Sequence, residues 1–308
     1  MMVVMFTVEG LTKRYGNHTA VQDLSFHVPD GVVTGFLGPN GSGKSTTMRC
    51  MLGLDAPSSG KVTVRHGNFE GPVQACKHKA QLVGALLDAS WVDPKRSARN
   101  HLRMLAQGAG IPDSRVDECL DLVGLSSKAK AKVGGYSLGM RQRLGVAAAL
   151  LGDPQHLLFD EPVNGLDPEG VSWMRQTIRY FASEGKSVLV SSHLLAEMQQ
   201  TADRLVIIGR GKLIGEYDMD EFLGDALVEV QTPQQEFGAV LQRQGFEPQA
   251  IEGGFSVPVE GDEQQARERI ARLALEHQVL ITGLSSRSAG LEERFLQATM
   301  NEQEYRSK

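Results

Sequence analysis

A glycine-rich segment near the start of the chain carries the residue types that bind polyphosphates. It matches the pattern G-x-x-x-x-G-K-[ST] through a continuous run: Gly38, Pro39, Asn40, Gly41, Ser42, Gly43, Lys44, Ser45 and Thr46. The three glycines are predicted to adopt positive φ and to turn backbone N–H groups toward an anion. The Lys44 ammonium is placed to reach the β- and γ-phosphates, and the Ser45 hydroxyl to ligate Mg²⁺. The pattern therefore predicts a site for a nucleoside triphosphate.

The same segment has the flanks that a phosphate-binding loop requires. An apolar run at residues 32–37 predicts a buried strand before it, and residues 46–54 predict a helix after it. The N-terminus of such a helix carries partial positive charge, which favours bound phosphate. A match without these flanks would be an ordinary glycine-rich turn, so the flanks favour the binding interpretation.

Two adjacent carboxylates, Asp160 and Glu161, end a second apolar strand predicted at residues 156–160, and Pro162 stops it. Alternation along a strand predicts that the two side chains point to opposite faces, so they can serve different roles. One could hold Mg²⁺ through water while the other orients and deprotonates an attacking water. An acidic pair at a strand end can also be structural, but the preceding phosphate loop favours catalysis.

Three further positions could contribute, and each also has an ordinary structural explanation. Tyr15 lies in a predicted polar turn at residues 11–16, where its ring could stack on adenine or be half-buried. Ser137 is placed to cap the helix that follows it, which would create a second helix end suited to an anion. His193 follows a strand predicted at residues 188–190, where open α/β sheets place ligands, although a lone histidine is often structural.

The composition excludes several classes of protein. The chain has 308 residues, of which 41% are hydrophobic and 22% charged, and a formal net charge of −5. This balance lacks the basic surplus of nucleic-acid-binding proteins, so no nucleic-acid partner is expected. No window approaches the roughly 20 apolar residues of a spanning helix, and the first residues lack the features of a signal peptide. We expect a cytoplasmic location. The three isolated cysteines suggest buried thiols rather than a metal site.

The remaining pattern predicts two regions. The first adds strands at 5–8, 21–28, 61–64, 81–88, 204–208 and 212–215, a helical insertion at 97–123, and helices at 144–151 and 219–223. The pattern then restarts, with strands at 227–231, 255–259 and 279–284 and helices at 234–244, 264–276 and 291–300. This second region reads as a small α+β domain with no evident chemistry.

Taken together, residues 5 to about 224 resemble the ATPase subunit of ATP-binding cassette (ABC) transporters. The resemblance identifies Tyr15 with the adenine-stacking aromatic, residues 38–46 with the Walker A loop, and Asp160 and Glu161 with the Walker B strand end. It places Asp167 in the D-loop and makes His193 the switch histidine. Ser137 and Gly139 stand where the family signature, most often LSGGQ, would be.

The chain departs from the family pattern at two places. Leu138 and Met140 replace a glycine and a glutamine of the signature, and Asp88 stands where a glutamine or glutamate usually contributes to the metal site. The side chain of aspartate is shorter than that of glutamine or glutamate, so Asp88 would reach the metal differently. This affects the geometry that couples ATP hydrolysis to transport. The altered signature and the segment at residues 291–296 resemble those of the bacterial branch that exports antibiotics, peptides and drugs.

The resemblance implies an α/β fold: a P-loop NTPase core of the ABC ATPase type with an antiparallel β-subdomain and a helical subdomain, plus a small α+β C-terminal domain. It implies a nucleotide-binding domain at residues 1–224, with the helical subdomain at about 89–150, and an accessory domain at 225–308. ATP and Mg²⁺ are the implied ligands. Glu161 is the implied general base, Asp160 and Ser45 hold Mg²⁺, and His193 steadies the γ-phosphate.

The resemblance also implies partners. Two copies, or this chain and a similar subunit, would sandwich ATP so that Ser137 and Gly139 of one copy meet the γ-phosphate held by Lys44 of the other. The dimer would dock on a separate membrane permease, through residues 88–103, at the cytoplasmic face of the membrane. Two other classes remain open: a soluble cassette ATPase of DNA repair or translation, and a regulator that binds nucleotide without hydrolysing it.

Overall fold

The computed structural model of the chain describes residues 4–223, 226–259, 263–287 and 291–299. Its contacts divide the chain into two compact units, the first extending through Asp218 and the second spanning Met219–Ala298. The predicted domain boundary, between residues 224 and 225, falls on positions outside the described residues. Residue 300, the predicted end of the last helix, also lies outside them. No helix among the described residues is long and apolar enough to cross a membrane.

The first unit combines strands and helices. In its described residues the strands are β1 (Val4–Tyr15), β2 (His18–Pro29), β3 (Val33–Leu37), β4 (Ser59–His66), β5 (Phe69–Gly71), β6 (Val83–Leu86), β7 (His156–Asp160), β8 (Ser187–Ser192), β9 (Arg204–Gly209) and β10 (Lys212–Asp218). The helices are α1 (Lys44–Met51), α2 (Lys79–Leu82), α3 (Ala98–Gly108), α4 (Asp113–Leu122), α5 (Leu138–Ala149), α6 (Pro168–Ser183) and α7 (Leu195–Thr201).

The central sheet of this unit has the strand order β10-β9-β3-β8-β7-β6. Strands β9, β3, β8, β7 and β6 run parallel to one another, and β10 joins the edge antiparallel to β9. Every residue of β3 and β8 is buried, as expected for parallel strands covered on both faces. The carboxyl ends of β3, β8 and β7 are therefore neighbours at one edge of the sheet.

A second, antiparallel sheet has the order β2-β1-β4-β5, and its buried side chains share one core with the central sheet. Phe26 of β2 stacks on Phe36 of β3 with ring centroids 5.3 Å apart. The helices α3, α4 and α5 lie between β6 and β7 in the chain; α3 and α4 fall in the helical insertion predicted at 97–123, and α5 replaces the helix predicted at 144–151. The predicted α/β fold class, with its antiparallel and helical parts, is confirmed.

The second unit has its own core and an antiparallel sheet. Its described elements are α8 (Met219–Leu223), β11 (Ala226–Gln231), α9 (Phe237–Arg243), β12 (Gln249–Ile251), β13 (Gly254–Val259), α10 (Glu263–Glu276), β14 (Gly283–Arg287) and α11 (Leu291–Thr299). The sheet order is β12-β13-β11-β14. Its core includes Val228 and Val257 from the sheet and Phe237 and Ile270 from the helices, so this unit is α+β.

The positions of several predicted elements are wrong. Residues 11–15, predicted as a turn, continue β1, because Leu11 is fully buried and pairs with Leu24 of β2. Gln81 and Leu82, predicted as strand, form the end of α2, and β6 is limited to Val83–Leu86. The strand predicted at 279–284 lies instead at Gly283–Arg287, where it pairs with β11. The helix predicted at 46–54 begins at Lys44 and ends at Met51.

A buried histidine in β7 predicts a loss of stability in acid. The His156 ring packs edge-on against Phe6 with centroids 5.1 Å apart, and its Nε2 lies 3.3 Å from the Arg65 carbonyl oxygen. Burial lowers the pKa of His156 to about 4. The unfolded chain binds this proton near pH 6.5 and the folded chain does not, so acid favours unfolding. The contribution of His156 to the free energy of unfolding is fully present above about pH 6.5. Between that pH and pH 4 the free energy of unfolding falls by up to ~1.4 kcal/mol per pH unit.

We expect the variant His156→Met to lose this part of the pH dependence. Urea unfolding of both proteins at pH 7 and pH 5 would measure the free energy of unfolding in each state. The native chain should lose about 2 kcal/mol more than the variant over this interval. Equal losses in the two proteins would show that His156 titrates alike in the folded and unfolded chain.

Candidate functional site

The predicted catalytic groups meet because β3, β8 and β7 are adjacent parallel strands. The glycine-rich loop follows β3, Asp160 ends β7, and His193 follows β8. Parallel strands place their carboxyl ends at the same edge of a sheet, where open α/β proteins bind ligands. Residues separated by more than a hundred positions in the chain are brought together by this pairing.

The glycine-rich loop needs its glycines for two different reasons. Gly41 and Gly43 have positive φ, of 80° and 102°, as predicted. Gly38 does not, so that part of the prediction is wrong; instead, a Cβ at Gly38 would lie 2.6 Å from the Ile208 carbonyl oxygen. A side chain there would push the loop off β9. Helix α1 then starts at Lys44, directly after the left-handed Gly43.

Gly43 combines both constraints, which predicts a measurable effect of Gly43→Ala. An added Cβ would lie 2.6 Å from the Ala20 carbonyl oxygen, in addition to the strain at φ 102°. We expect the variant to be destabilised by more than the ~1 kcal/mol of left-handed strain alone and to bind ATP more weakly. Thermal unfolding and the KM for ATP measure the two effects.

Gly185 supplies a matched control for this prediction. It also has positive φ, of 84°, but a Cβ would have no heavy atom within 4 Å. Gly185→Ala should therefore lose only the strain energy, about 1 kcal/mol, and keep the native KM. If the two alanine variants behaved alike, close approach of Ala20 would not explain the glycine at position 43.

Lys44 lies in the floor of the loop with only 7% of its surface exposed. Its Nζ donates hydrogen bonds to the carbonyl oxygens of Gly38, at 2.6 Å, and Pro39, at 3.2 Å. Burial lowers the pKa of Lys44, while the carboxylates of Glu161 and Asp160 raise it. The loop thus holds a desolvated cation whose charge suits a phosphate group better than carbonyl oxygens.

Two hydroxyls of the loop are available to a bound nucleotide and its metal ion. Ser42 is 4% exposed, and its buried Oγ has no hydrogen-bond partner among the described residues. An orphaned buried hydroxyl is costly unless a ligand satisfies it. Ser45 is exposed on the cleft. The Ser45 hydroxyl and the Asp160 carboxylate are oxygen donors, which is the chemistry that Mg²⁺ prefers.

Asp160 and Glu161 make different contacts, but not for the predicted reason. Asp160 accepts a short hydrogen bond from the Ser191 hydroxyl of β8. Strand β7 ends at Asp160, and Glu161 adopts a left-handed backbone with φ 49°. Its N–H donates to the Ser191 carbonyl oxygen at 3.2 Å and to Ser191 Oγ at 3.0 Å. Glu161 therefore lies in a turn after the strand, where strand alternation does not apply.

The carboxylate of Glu161 pairs with His193. Glu161 Oε2 lies 2.6 Å from His193 Nδ1 and accepts a longer hydrogen bond, of 3.4 Å, from the His193 backbone N–H. Both side chains are partly exposed, and Glu161 also lines the cleft beside the glycine-rich loop. The histidine therefore holds the oxygen of the predicted base at the edge of the cleft. Glu161 itself has a positive φ, and residues other than glycine that adopt this conformation are often found at functional sites.

A cleft of about 400 Å³ lies between the glycine-rich loop and the β1–β2 hairpin. Its lining contains Tyr15 on one side and residues 40–46 and Glu161 on the other. The sequence prediction missed two residues of this lining, His18 and Ala20. Their position could have been found from Tyr15, because they follow it on the returning strand of a hairpin. The size of the cleft is within the range of small-molecule sites.

Asp88 follows β6 and lies outside this cleft. Its Oδ1 accepts a hydrogen bond from the Ser90 N–H at 2.7 Å, and it lines a neighbouring cleft of about 360 Å³ with Asp160, Glu161 and Gln142. Within the described residues, no group of three or more His, Cys, Asp or Glu could hold a metal ion. Mg²⁺ commonly uses few protein ligands together with substrate phosphates, so the donors present fit an ion delivered with ATP.

The signature residues and Asp167 are placed at helix ends. The Ser137 hydroxyl accepts a hydrogen bond from the Met140 N–H at 3.2 Å and caps α5, as predicted. Asp167 caps α6 by accepting a bond from the Gly170 N–H at 2.9 Å. Neither residue lines the cleft beside Lys44, and Gly139 does not line it either. The structure thus leaves these three predicted residues outside the site of their own chain.

Sequence comparison identifies known proteins that are similar to this chain. A family model described as ABC transporter matches residues 21–164. The chain is 38% identical over 253 residues to the bacitracin transport ATP-binding protein BcrA of Bacillus licheniformis, covering 80% of this chain and 81% of that protein. It is 35% identical over 216 residues to the lantibiotic transport ATP-binding protein SrtF of Streptococcus pyogenes, covering 70% of this chain and 92% of that one.

A solved structure shares the fold. A dimeric ATP-binding cassette in a post-hydrolysis state, bound to ADP and Pi, superposes with a TM-score of 0.62 at 23% identity, over 70% of this chain and 99% of that chain. The phosphate loop, the paired carboxylates and the histidine lie at adjacent strand ends of this fold. The chain belongs to the ABC transporter family, as one of its ATP-binding, ATP-hydrolysing subunits.

Proposed function

We propose that the chain hydrolyses MgATP between two copies of itself to power export of an antibiotic through a separate membrane permease. The observation that carries this proposal is the meeting of Lys44, Glu161 and His193 at the ends of β3, β7 and β8. The named relatives transport bacitracin and lantibiotics, which supports an antibiotic as the cargo.

In the proposed reaction Glu161 acts as general base. It takes a proton from water while the water oxygen bonds to the γ-phosphorus, and the bond from that phosphorus to the β–γ bridging oxygen breaks. His193 positions the Glu161 carboxylate and contacts the γ-phosphate. Lys44 and the loop N–H groups stabilise the negative charge that develops on the bridging oxygen of the leaving ADP. Ser45 and Asp160, with a contribution from Asp88, would hold Mg²⁺, which would supply further charge neutralisation when bound.

The second copy is needed because the site of one chain is incomplete. Ser137, Gly139 and Asp167 lie outside the cleft that holds Lys44. In a two-fold symmetric pair, each copy presents these residues to the ATP of the other. ATP then favours the closed pair, since only that state makes both sets of contacts, and hydrolysis removes the preference. The N-termini of α5 and α6 are suited to this role because helix N-termini attract phosphate.

The permease is proposed as a separate protein at the membrane, with this chain on its cytoplasmic face. The proposed docking region is residues 88–103, which begin after β6 and extend into helix α3. We assign residues 1–224 to the nucleotide-binding domain and 225–308 to an accessory domain. The accessory domain has no proposed chemistry of its own.

Purification of the tagged chain from membranes of its own organism tests the transport role. We expect a polytopic membrane protein to co-purify and to raise the ATPase rate of the chain. Deletion of the gene should also increase sensitivity to bacitracin, the probe suggested by the relative. Co-purification with soluble nucleic-acid enzymes alone would contradict the proposal, and unchanged sensitivity would contradict bacitracin as cargo.

A further inference from the structure

Groups outside the phosphate cleft hold the phenol of Tyr15. Its hydroxyl donates a hydrogen bond to Asp55 Oδ2 at 2.6 Å. Asp55 in turn accepts two hydrogen bonds from the Arg49 guanidinium, each 2.9 Å long. Tyr15 is 46% exposed, so without these bonds little packing would restrict its ring. The Arg49–Asp55 pair therefore fixes the hydroxyl end of the ring.

The electrostatics of the pair make this contact persistent. Hydrogen bonds from Arg49 and Tyr15 lower the pKa of Asp55 to about 2, so it is a carboxylate throughout the physiological range. The hydrogen bond to Asp55 raises the pKa of Tyr15, which keeps the phenol neutral and able to donate. Arg49 belongs to α1, the helix that begins at Lys44. The network thus connects the end of β1 to the helix of the phosphate loop.

A third group covers one face of the ring. Lys13 Nζ lies 4.8 Å from the ring centroid and donates a hydrogen bond to the Ala56 carbonyl oxygen at 2.8 Å. Tyr15 lines the cleft, whereas Lys13 and Asp55 do not. The ammonium therefore occupies one face of the ring from a residue outside the cleft lining. A base would have to stack on the other face.

We propose that Arg49 and Asp55 are positioning residues for ATP, which hold the Tyr15 ring ready to receive adenine on the face opposite Lys13. The inference rests on the predicted stacking of adenine on Tyr15 in the proposed ATP site. Its physical basis is pre-organisation: the ring loses its freedom on folding rather than on binding, so less entropy is lost when ATP binds. The pair acts on affinity for the base and takes no part in the chemical step.

The variants Asp55→Ala and Tyr15→Phe test this directly. Each removes one partner of the same hydrogen bond, and each should raise the KM for ATP about five-fold with kcat changed less than about two-fold. The double variant should show the KM of either single variant, because the shared interaction is already lost. A native KM in both single variants, or additive effects in the double variant, would overturn the proposal.

Two further measurements separate this inference from the proposed stacking. Tyr15→Ala should raise the KM for ATP by roughly 5- to 150-fold if the base stacks on the ring; an unchanged KM would refute stacking itself. Inorganic tripolyphosphate has no base, so it should inhibit Asp55→Ala and the native chain equally. Weaker inhibition of the variant would show a loosened phosphate loop instead of a misplaced ring, and would overturn the positioning role.

A surface variant controls for loss of an ion pair as such. Arg65 and Glu70 form an exposed pair 2.9 Å apart, at a distance in the chain similar to that between Arg49 and Asp55. Glu70→Ala should retain the native KM and kcat. If it raised the KM as much as Asp55→Ala does, the effect would be a general consequence of removing a carboxylate, and the specific role of Asp55 would be rejected.

Discussion

Replacing Glu161 by glutamine is expected to abolish ATP turnover and to leave ATP binding intact. Glutamine keeps the size of the side chain and can still accept a hydrogen bond from His193 Nδ1, which lies 2.6 Å from Glu161 Oε2. It cannot take a proton from water, and loss of a general base lowers rates by roughly 10²- to 10⁴-fold. Single-turnover assays and equilibrium binding of ATP to the same preparation measure the two quantities.

The control for this variant is Glu184→Gln, which changes an exposed glutamate after α6. It removes the same charge at a residue that does not line the cleft, and it should keep the native rate. If Glu161→Gln turned over ATP at the native rate, Glu161 would not be the base. A loss of binding together with turnover would instead indicate that Glu161 organises the nucleotide site.

Replacing Lys44 by alanine is expected to remove most of the affinity for ATP. Lys44 is buried with its ammonium beside the carbonyl oxygens of Gly38 and Pro39, so it meets a phosphate in a poorly solvated place. A charge-assisted contact of this kind contributes up to about 3 kcal/mol, which corresponds to a loss of roughly 100-fold in affinity. Isothermal titration with ATP measures the change.

Two matched variants sharpen the test of Lys44. Lys44→Arg keeps the charge in a different shape, and we expect it to bind ATP poorly because the planar guanidinium cannot occupy the same space. Lys61→Ala removes an exposed lysine that pairs with Glu9 and should bind ATP normally. Native affinity in Lys44→Ala would contradict the assignment of the phosphate loop.

The residues of the site were predictable from the sequence because they lie in short local patterns. Few residue types can adopt the backbone conformation of the glycine-rich loop. The loop can therefore be identified from its sequence pattern. The meeting of Asp160 with Ser191, and of Glu161 with His193, was not predictable in this way. It depends on β3, β8 and β7 being neighbours, and strand order arises from long-range pairing that local periodicity does not encode.

The errors have physical causes that can be named. Residues 12–14 are all polar and Gly16 follows them, which suggested a turn too early, although Leu11 is a core residue of β1. The apolar run at 81–88 could be helix or strand by periodicity alone. The left-handed backbone of Glu161 has no sequence signature, since glutamate rarely adopts it. The last strand lies at residues 283–287 because these residues pair with β11, although most of them are not apolar.

The oligomeric state of Glu161→Gln in MgATP tests most directly whether ATP is held between two copies. Sedimentation velocity without nucleotide, with MgATP and with MgADP would compare the three conditions for one preparation. We predict monomers without nucleotide, dimers with MgATP and monomers again with MgADP. The account would be contradicted if the chain bound MgATP and still sedimented as a monomer, and if only one copy of it bound to the permease.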